Sequence, residues 1–275
     1  MKIVTTTSVF PPCYPADKAL MRLKNIGFDC LDMAFDYCTG EKDFPFVTDG
    51  WEKWANDLRD LSEKNSIPYT HAHSCGDASS RDEAFIRCFK ASNILGIKYL
   101  VIHPVWRKED GKYYETDDEF VEVNTRLALP LLEYAEKYDV KILSENLLWG
   151  ASVRPSAIDN LVSEVDSPYF GWCYDTGHAN CFGITSDSLL DIKNVPMSLH
   201  IQDNHGNKGD EHLIPGDGSI DWKRFLENLK KIGYKGELVL EAHHQSLHTP
   251  DEKREELLSE LLLRAVGLNN IYTSI

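Results

Sequence analysis

The 275-residue sequence predicts an α/β protein, a closed (β/α)8 barrel formed by residues 1–275 as one domain. Three observations predict it. Segments with strand character alternate eight times with segments of helical periodicity, the pattern of a parallel sheet. No composition break or long linker interrupts the alternation. The third to eighth predicted strands each end in a histidine or a carboxylate, and the C-terminal ends of barrel strands are where such folds build their sites. An open doubly wound sheet, the competing architecture, would carry a glycine-rich turn after its first strand, where Ser8-Val9-Phe10-Pro11-Pro12 stands.

Lys2 to Ser8 reads as the first strand. Ala19, Leu20, Leu23 and Ile26 lie at helical spacing in the segment from Ala16, which Gly27 closes. Phe28 to Phe35 is the second strand. A helix follows, marked by Trp51, Trp54, Leu58 and Leu61. The third strand, Ile67 to Thr70, leads into His71-Ala72-His73. Arg81 to Leu95 is a helix stopped by Gly96, and Ile97 to Ile102 is a strand that ends at His103-Pro104. After a charged loop over 105–116, Asp118 to Tyr138 is helical with a kink expected at Pro130. Val140 to Ser144 is a strand ending at Glu145-Asn146, and Arg154 to Glu164 a helix. The sixth strand is Tyr169-Phe170-Gly171-Trp172-Cys173-Tyr174, which ends in Asp175-Thr176-Gly177-His178. Ser186 to Ile192 is helical, Met197 to Asp203 a strand, and Gly206 to Gly218 a loop. Asp221 caps a helix through Trp222, Phe225, Leu226, Leu229 and Ile232, closed by Gly233. Glu237 to Glu241 is the last strand and Glu252 to Leu268 the last helix.

Bulk properties exclude several function classes. The formal net charge of −15 opposes a polyanionic partner, because nucleic-acid affinity comes largely from phosphate contacts and no basic cluster is present to supply them. The seven scattered cysteines include no C-x-x-C pair, which argues against a disulfide framework or a thiolate metal site. No apolar run is long enough for a membrane span, the start has no signal-peptide core, and a cytoplasmic protein is the expectation. A homo-oligomer is left open.

The candidate site is the set of strand ends: His71, His103, Glu145, Asp175, His200 and Glu241. Buried charge has to be paired or bound to metal, so a rim of imidazoles and carboxylates points to a divalent cation such as Mn, Zn, Co, Fe or Mg. Glu145, Asp175, His200 and Glu241 come from four neighbouring strands and can close around one ion. His178 and the pair Asp210 and His212 are further candidates; an Asp-x-His pair directs both side chains the same way on extended backbone. Trp149, just after the fifth strand, is a candidate substrate wall. His243, His244 and His248 read as loop histidines, and Cys173 and Cys181 show no sign of reactivity.

These residues resemble the xylose isomerase-like TIM-barrel superfamily, which includes sugar-phosphate isomerases and epimerases and the endonuclease IV type of AP endonuclease. The resemblance covers nearly the whole chain. It is carried by His71, His103-Pro104, Glu145-Asn146, Asp175-Thr176-Gly177-His178, His200-Ile201-Gln202-Asp203, Asp210-Glu211-His212 and Leu240-Glu241; the run from His212 to Trp222 looks like the epimerase and isomerase branch. In that branch the resemblance implies one divalent ion, often Mn, held by Glu145, Asp175, His200 and Glu241. Glu145 and Glu241 would act as acid and base on a carbohydrate-like small molecule through a metal-stabilised cis-enediolate. His178 would bind a substrate oxygen. The alternative within the same chemistry is a dehydratase or lyase of an inosose or 3-dehydroshikimate type.

In the endonuclease branch all nine of His71, His103, Glu145, Asp175, His178, His200, Asp210, His212 and Glu241 would be ligands of a trinuclear zinc cluster. Against that reading stand the charge, Ser74 where the branch has a tyrosine three residues after its first ligand histidine, and a loop Asp36 to Glu41 without the arginine used to enter DNA. The sugar reading has a departure too. The run Asn204-His205-Gly206-Asn207-Lys208 lacks the arginine that ketose 3-epimerases carry after the seventh strand.

Overall fold

The computed structural model describes residues 1–207 and 209–275. Lys208, the last residue of the run weighed above, lies outside them. Eight parallel strands run in the order β7-β6-β5-β4-β3-β2-β1-β8: β1 Ile3–Thr6, β2 Cys30–Ala34, β3 Tyr69–Asp77, β4 Tyr99–His103, β5 Lys141–Glu145, β6 Phe170–Asp175, β7 Ser198–His200 and β8 Leu238–Leu240. A bridge between Ile201 and Leu240 joins the two ends of the sheet. Its hydrogen bonds are Ile201 N–H to Val239 O at 2.7 Å and Glu241 N–H to Ile201 O at 3.0 Å. The sheet is therefore a (β/α)8 barrel, as expected from the alternation.

Ten α-helices are described: α1 Ala16–Ile26, α2 Trp51–Asn65, α3 Glu83–Leu95, α4 Asp117–Ala128, α5 Leu132–Tyr138, α6 Pro155–Val165, α7 Thr176–Cys181, α8 Trp222–Lys231, α9 His244–His248 and α10 Asp251–Ser274. The helix expected over 118–138 is two, because Pro130 lacks the N–H that a continuous helix needs; a 3-10 turn at Leu129–Leu131 separates α4 from α5. The helix expected from Ser186 is a 3-10 segment, Ser186–Asp191. Helix starts obey capping chemistry: Asp82, Thr116 and Asp221 accept from the N–H of Phe85, Glu119 and Arg224. Gly27 and Gly96 end α1 and α3 in the left-handed conformation that a Cβ disfavours.

Two apolar layers hold the barrel. Outside the sheet, Leu20, Phe85, Phe89, Leu161, Leu229 and Leu258 belong to one large core. Two smaller buried clusters lie apart from it, Val4 with Cys30 and Val239, and Val101 with Leu143 and Cys173. They alternate along their strands with residues of the outer core, so they fill the lumen. This packing leaves the polar strand ends as the open face. Among the described residues no helix is long and apolar enough to cross a membrane.

Candidate metal centre and active site

Each donor's position follows from where its strand stops. His103, Glu145, Asp175 and His200 are the last residues of β4, β5, β6 and β7, and Glu241 directly follows β8. Of these, His103, Glu145 and Glu241 line a cavity of about 200 Å³, with His73, His178 and Trp149. Behind the two glutamates, His200 Nδ1 lies 2.6 Å from Glu145 Oε1 and 3.2 Å from Glu241 Oε2. Glu145, Asp175, His200 and Glu241 each offer a ligand atom, and those atoms lie within 4.8 Å of one another. Two more groups meet the same condition: His73 with His103 and Glu145, and His178 with Asp210 and His212.

Two observations fit these groups to divalent ions. Asp175 Oδ2 is buried without a hydrogen-bond partner, and Glu145 Oε2 is buried with only the His103 and His73 rings near it, at 3.2 and 3.7 Å; buried carboxylate oxygens so placed are costly unless a cation is bound. The histidine rings are also held in one orientation. Nδ1 of His73, His178 and His212 meets the backbone carbonyls of Ser74, Asn146 and Glu241 at 3.1, 2.8 and 2.9 Å. A ring whose Nδ1–H donates to a carbonyl keeps the Nε2 lone pair for a ligand, and those Nε2 atoms face His103 or Asp210. Imidazole nitrogen and carboxylate oxygen suit Mn, Fe, Co, Zn or Mg.

Charge pairing holds the groups together in the absence of a cation. Burial favours the neutral acid at Glu145, yet His200, His103 and His73 hold its carboxyl well below the usual range. Glu241 and Asp210 are lowered in the same way, against burial, by His200 and by His178 with His212. The histidines move oppositely. Burial opposes their charge, but surrounding carboxylates push His73 and His212 up to about 9 and raise His178 well above the ordinary value, and Cys173 with Glu145 and Glu241 does the same at His200. Asp175 is the exception. Burial pushes it up to about 7, with His178 opposing.

The structure brings together His103, Glu145, Asp175, His178, His200, Asp210, His212 and Glu241 from the expected set, and leaves His71 out. Strand β3 does not stop at Thr70 but runs to Asp77. His71 is consequently interior, with Nδ1 2.9 Å from Thr70 Oγ1 and its ring tilted against Tyr99, centroids 5.0 Å apart. His73, two residues on and on the same face, stands at the rim with Nε2 3.0 Å from His103 Nε2. The spacing His-x-His carried that signal. Counted from His73, the position three residues on is Gly76, so the tyrosine of the endonuclease branch is missing on either count.

Asp175 is followed directly by α7, and its Oδ1 caps that helix by accepting from His178 N–H at 2.6 Å. The cap and the site are the same residue, since one helical turn places His178 beside Asp175. Asp210 and His212 do converge, at 3.0 Å, but through a left-handed His212 with φ of +42° rather than through extended backbone.

Several lining or supporting residues were missed. Gln202 Nε2 donates to Asp175 Oδ1 at 3.2 Å and to Asp210 Oδ1 at 3.0 Å, tying two of the groups together. Asn146 brackets Asp175, donating to its carbonyl and accepting from its N–H. Asp203 accepts from Asn204, Gly216 and Ile220 N–H and from Trp222 Nε1, which fixes the ends of the loop bearing Asp210 and His212. Asp36, Tyr37 and His243 also line the cavity, so His243 is more than a loop histidine. The other two of that run belong to α9. Trp149 lines the cavity and stacks on Trp106 at 5.0 Å, an aromatic wall from two loops. Cys173 and Cys181 are buried.

Comparison with known proteins gives this geometry its family. A protein of uncharacterised function from Methanocaldococcus jannaschii is 28% identical over 223 residues, 76% of this chain and 74% of that one. An inosose dehydratase of Bacillus licheniformis is 28% identical over 148 residues, about half of either protein (48% and 49%). Among solved structures, the IOLI protein with a binding zinc atom superposes with a TM-score of 0.76 at 20% identity, covering 100% of this chain and 99% of that one. A D-tagatose 3-epimerase-like protein superposes at 0.71 with 22% identity, covering 97% and 99%. Those likenesses show the fold. The family model for the xylose isomerase-like TIM barrel matches residues 20–264, most of the chain, and the protein belongs to that family.

Proposed function

We propose that this chain is a divalent-metal-dependent enzyme that isomerises or epimerises a carbohydrate-like carbonyl compound by enolisation. The observation that carries the reading is the group Glu145, Asp175, His200 and Glu241, with two glutamates facing one cavity. A divalent ion held by these four would supply Lewis acidity to a substrate carbonyl and its neighbouring hydroxyl oxygen. The two glutamates do the proton chemistry. One removes the proton from the carbon beside the carbonyl, and that C–H electron pair passes toward the carbonyl oxygen. The other returns a proton, to the same carbon from the opposite face in epimerisation or to the neighbouring carbon in isomerisation. Glu145 Oε2, turned toward His103 and His73 and away from His200, is the oxygen for that exchange. His178 Nε2 and His103 orient substrate hydroxyls, and Trp149 with Trp106 packs against the carbon skeleton.

The likeness to inosose dehydratases favours a second reading. The same proton abstraction followed by loss of a hydroxide β to the carbonyl gives dehydration. The three donor groups also leave room for more than one ion. A phosphodiester is a poor fit, because the cavity is lined by Asp36, Glu145, Asp210 and Glu241 and, among the described residues, by no lysine or arginine.

The test is solvent deuterium uptake by a panel of ketoses and keto-cyclitols with the metal-loaded protein, alongside elemental analysis. Uptake at the carbon next to the carbonyl is expected, falling by about 10²–10⁴ in Glu145→Gln and Glu241→Gln. Product analysis separates epimer or isomer from the dehydrated compound. Full exchange in both variants would refute the mechanism, and three tightly held zinc ions with cleavage of abasic DNA would replace it.

A further inference from the structure

His244 and His248 belong to none of the donor groups described above, and the proposed chemistry does not use them. Read as loop, their four-residue spacing has no meaning. On α9 it puts both side chains on one face, where they are exposed and their ring centroids lie 4.4 Å apart. Two histidines four residues apart on a helix present their imidazoles to one ion, as in the zinc-binding H-E-x-x-H motif. Here the sequence is His244-Gln245-Ser246-Leu247-His248, and α9 begins at the barrel mouth, three residues past Glu241.

Ring orientation and support both point to a ligand. His248 Nδ1–H donates to the His244 carbonyl at 2.8 Å. That is the arrangement found at His73, His178 and His212, and it keeps the Nε2 lone pair for a metal ion. The His244 ring has no hydrogen-bond partner among the described residues, so it can turn toward the same ion. The helix beneath them is fastened to the barrel. Buried Ser246, between the two histidines, donates from Oγ to Val9 O at 2.7 Å. Arg254 donates to the carbonyls of Ser246 and Thr249 at 3.2 and 3.0 Å, and Gln245 Oε1 accepts from Ile214 N–H at 3.0 Å. The two rings are therefore carried on a fixed platform, which lowers the ordering cost of closing them on an ion.

We propose that His244 and His248 form a peripheral site for a late transition-metal ion, Zn, Ni or Cu, separate from the centre at the strand ends. The donor set fixes the class of ion. Imidazole nitrogens without a carboxylate suit these ions, whereas Mg and Mn are held by oxygen ligands. The central groups mix carboxylates with imidazoles and lack that discrimination. With two protein ligands and the remaining positions open to water, the peripheral ion is exchangeable, and the net charge of −15 draws cations toward it. The proposal stands independently of the enzymatic reading above.

The test uses the untagged full chain and nickel(II). On an immobilised nickel chelate only surface imidazoles reach the resin-bound ion, so the buried centre stays silent. Wild type should be retained and released by imidazole. His244→Ala and His248→Ala should each lose retention, while His205→Ala, which removes an exposed histidine paired with Glu211, should keep it. In solution, loss of one of the two ligands should weaken nickel binding at this site by about tenfold or more, and magnesium should not compete. Unfolding temperatures of the variants should match wild type, because both side chains are exposed. A wild-type chain that passes through the column would overturn the proposal. So would undiminished retention, or an unchanged number of bound nickel ions, in the double variant.

Discussion

Gly177→Ala is a one-methyl change that touches no candidate ligand yet should loosen the whole site. Gly177 lies in the first turn of α7, and a Cβ there would overlap the side-chain amide of Gln202. Gln202 is fully buried and its Nε2 bridges Asp175 and Asp210. Two responses are open to the molecule. The backbone of α7 can shift, at a strain cost of about 1–3 kcal/mol. Alternatively the amide swings away and surrenders two hydrogen bonds to carboxylates, each worth about 1.5–3 kcal/mol. The cheaper route sets the outcome, so a loss of about 1–3 kcal/mol is expected. In a chain of this size that lowers the unfolding midpoint by roughly 2–5 °C. Either route moves Asp175 relative to His178, and affinity for a divalent ion should drop by about tenfold or more. Calorimetric unfolding and metal titration measure the two effects. Gly183→Ala is the control, since nothing lies within 4 Å of its added Cβ. Its left-handed φ of +68° makes it strained as well, without contact to the site. A Gly177→Ala protein with wild-type stability and metal affinity would refute the argument that Gln202 couples the donor groups.

Other expected outcomes follow from the same geometry. His73→Leu should weaken metal binding or remove one bound ion, while His71→Leu leaves both affinity and stoichiometry within about threefold, as competition titration would show. Metal binding at pH 7 should release protons, because His73 and His212 titrate near pH 9 in the metal-free protein and His178 and His200 also well above the ordinary value. Affinity then rises with pH up to about 9, and calorimetry in two buffers of different ionisation enthalpy counts the protons. The metal-free fold has the opposite trend: raised histidines contribute stability that is complete below their unfolded value of about 6.5 and is lost as pH climbs through about 9. Trp149→Ala should raise KM for the true substrate with kcat little changed, seen in steady-state kinetics.

Much of the architecture was legible because it is local. Helix ends at Gly27 and Gly96, the cap at Asp221 and the break at Pro130 are written in single residues whose backbone demands do not depend on the rest of the fold. Glu145, Asp175 and His200 were legible because a polar residue ending an apolar run marks a strand end. His73 was not, because β3 carries both polar and apolar residues after Thr70 and so looks like loop. His212 needed a left-handed backbone that no neighbouring glycine announces. Gln202 acts through contacts with residues 27 and 8 positions away, which single-sequence patterning does not reach.

The join between β7 and β8 has a kinetic consequence. Neighbouring strands elsewhere share three or four paired positions, whereas this edge is closed by the Ile201–Leu240 bridge and its two hydrogen bonds. It is the place where the cylinder should breathe first, opening locally at far lower cost than the global fold. His200 and Glu241 lie on either side of that seam. An ion held by both would act as a clasp across it, so the amides of Ile201 and Glu241 should exchange with deuterated solvent quickly in the metal-free protein and slowly once the ion is in place. Ion release would then be gated by the barrel's own opening, and the residence time of the ion would report on how often one seam of the cylinder comes undone.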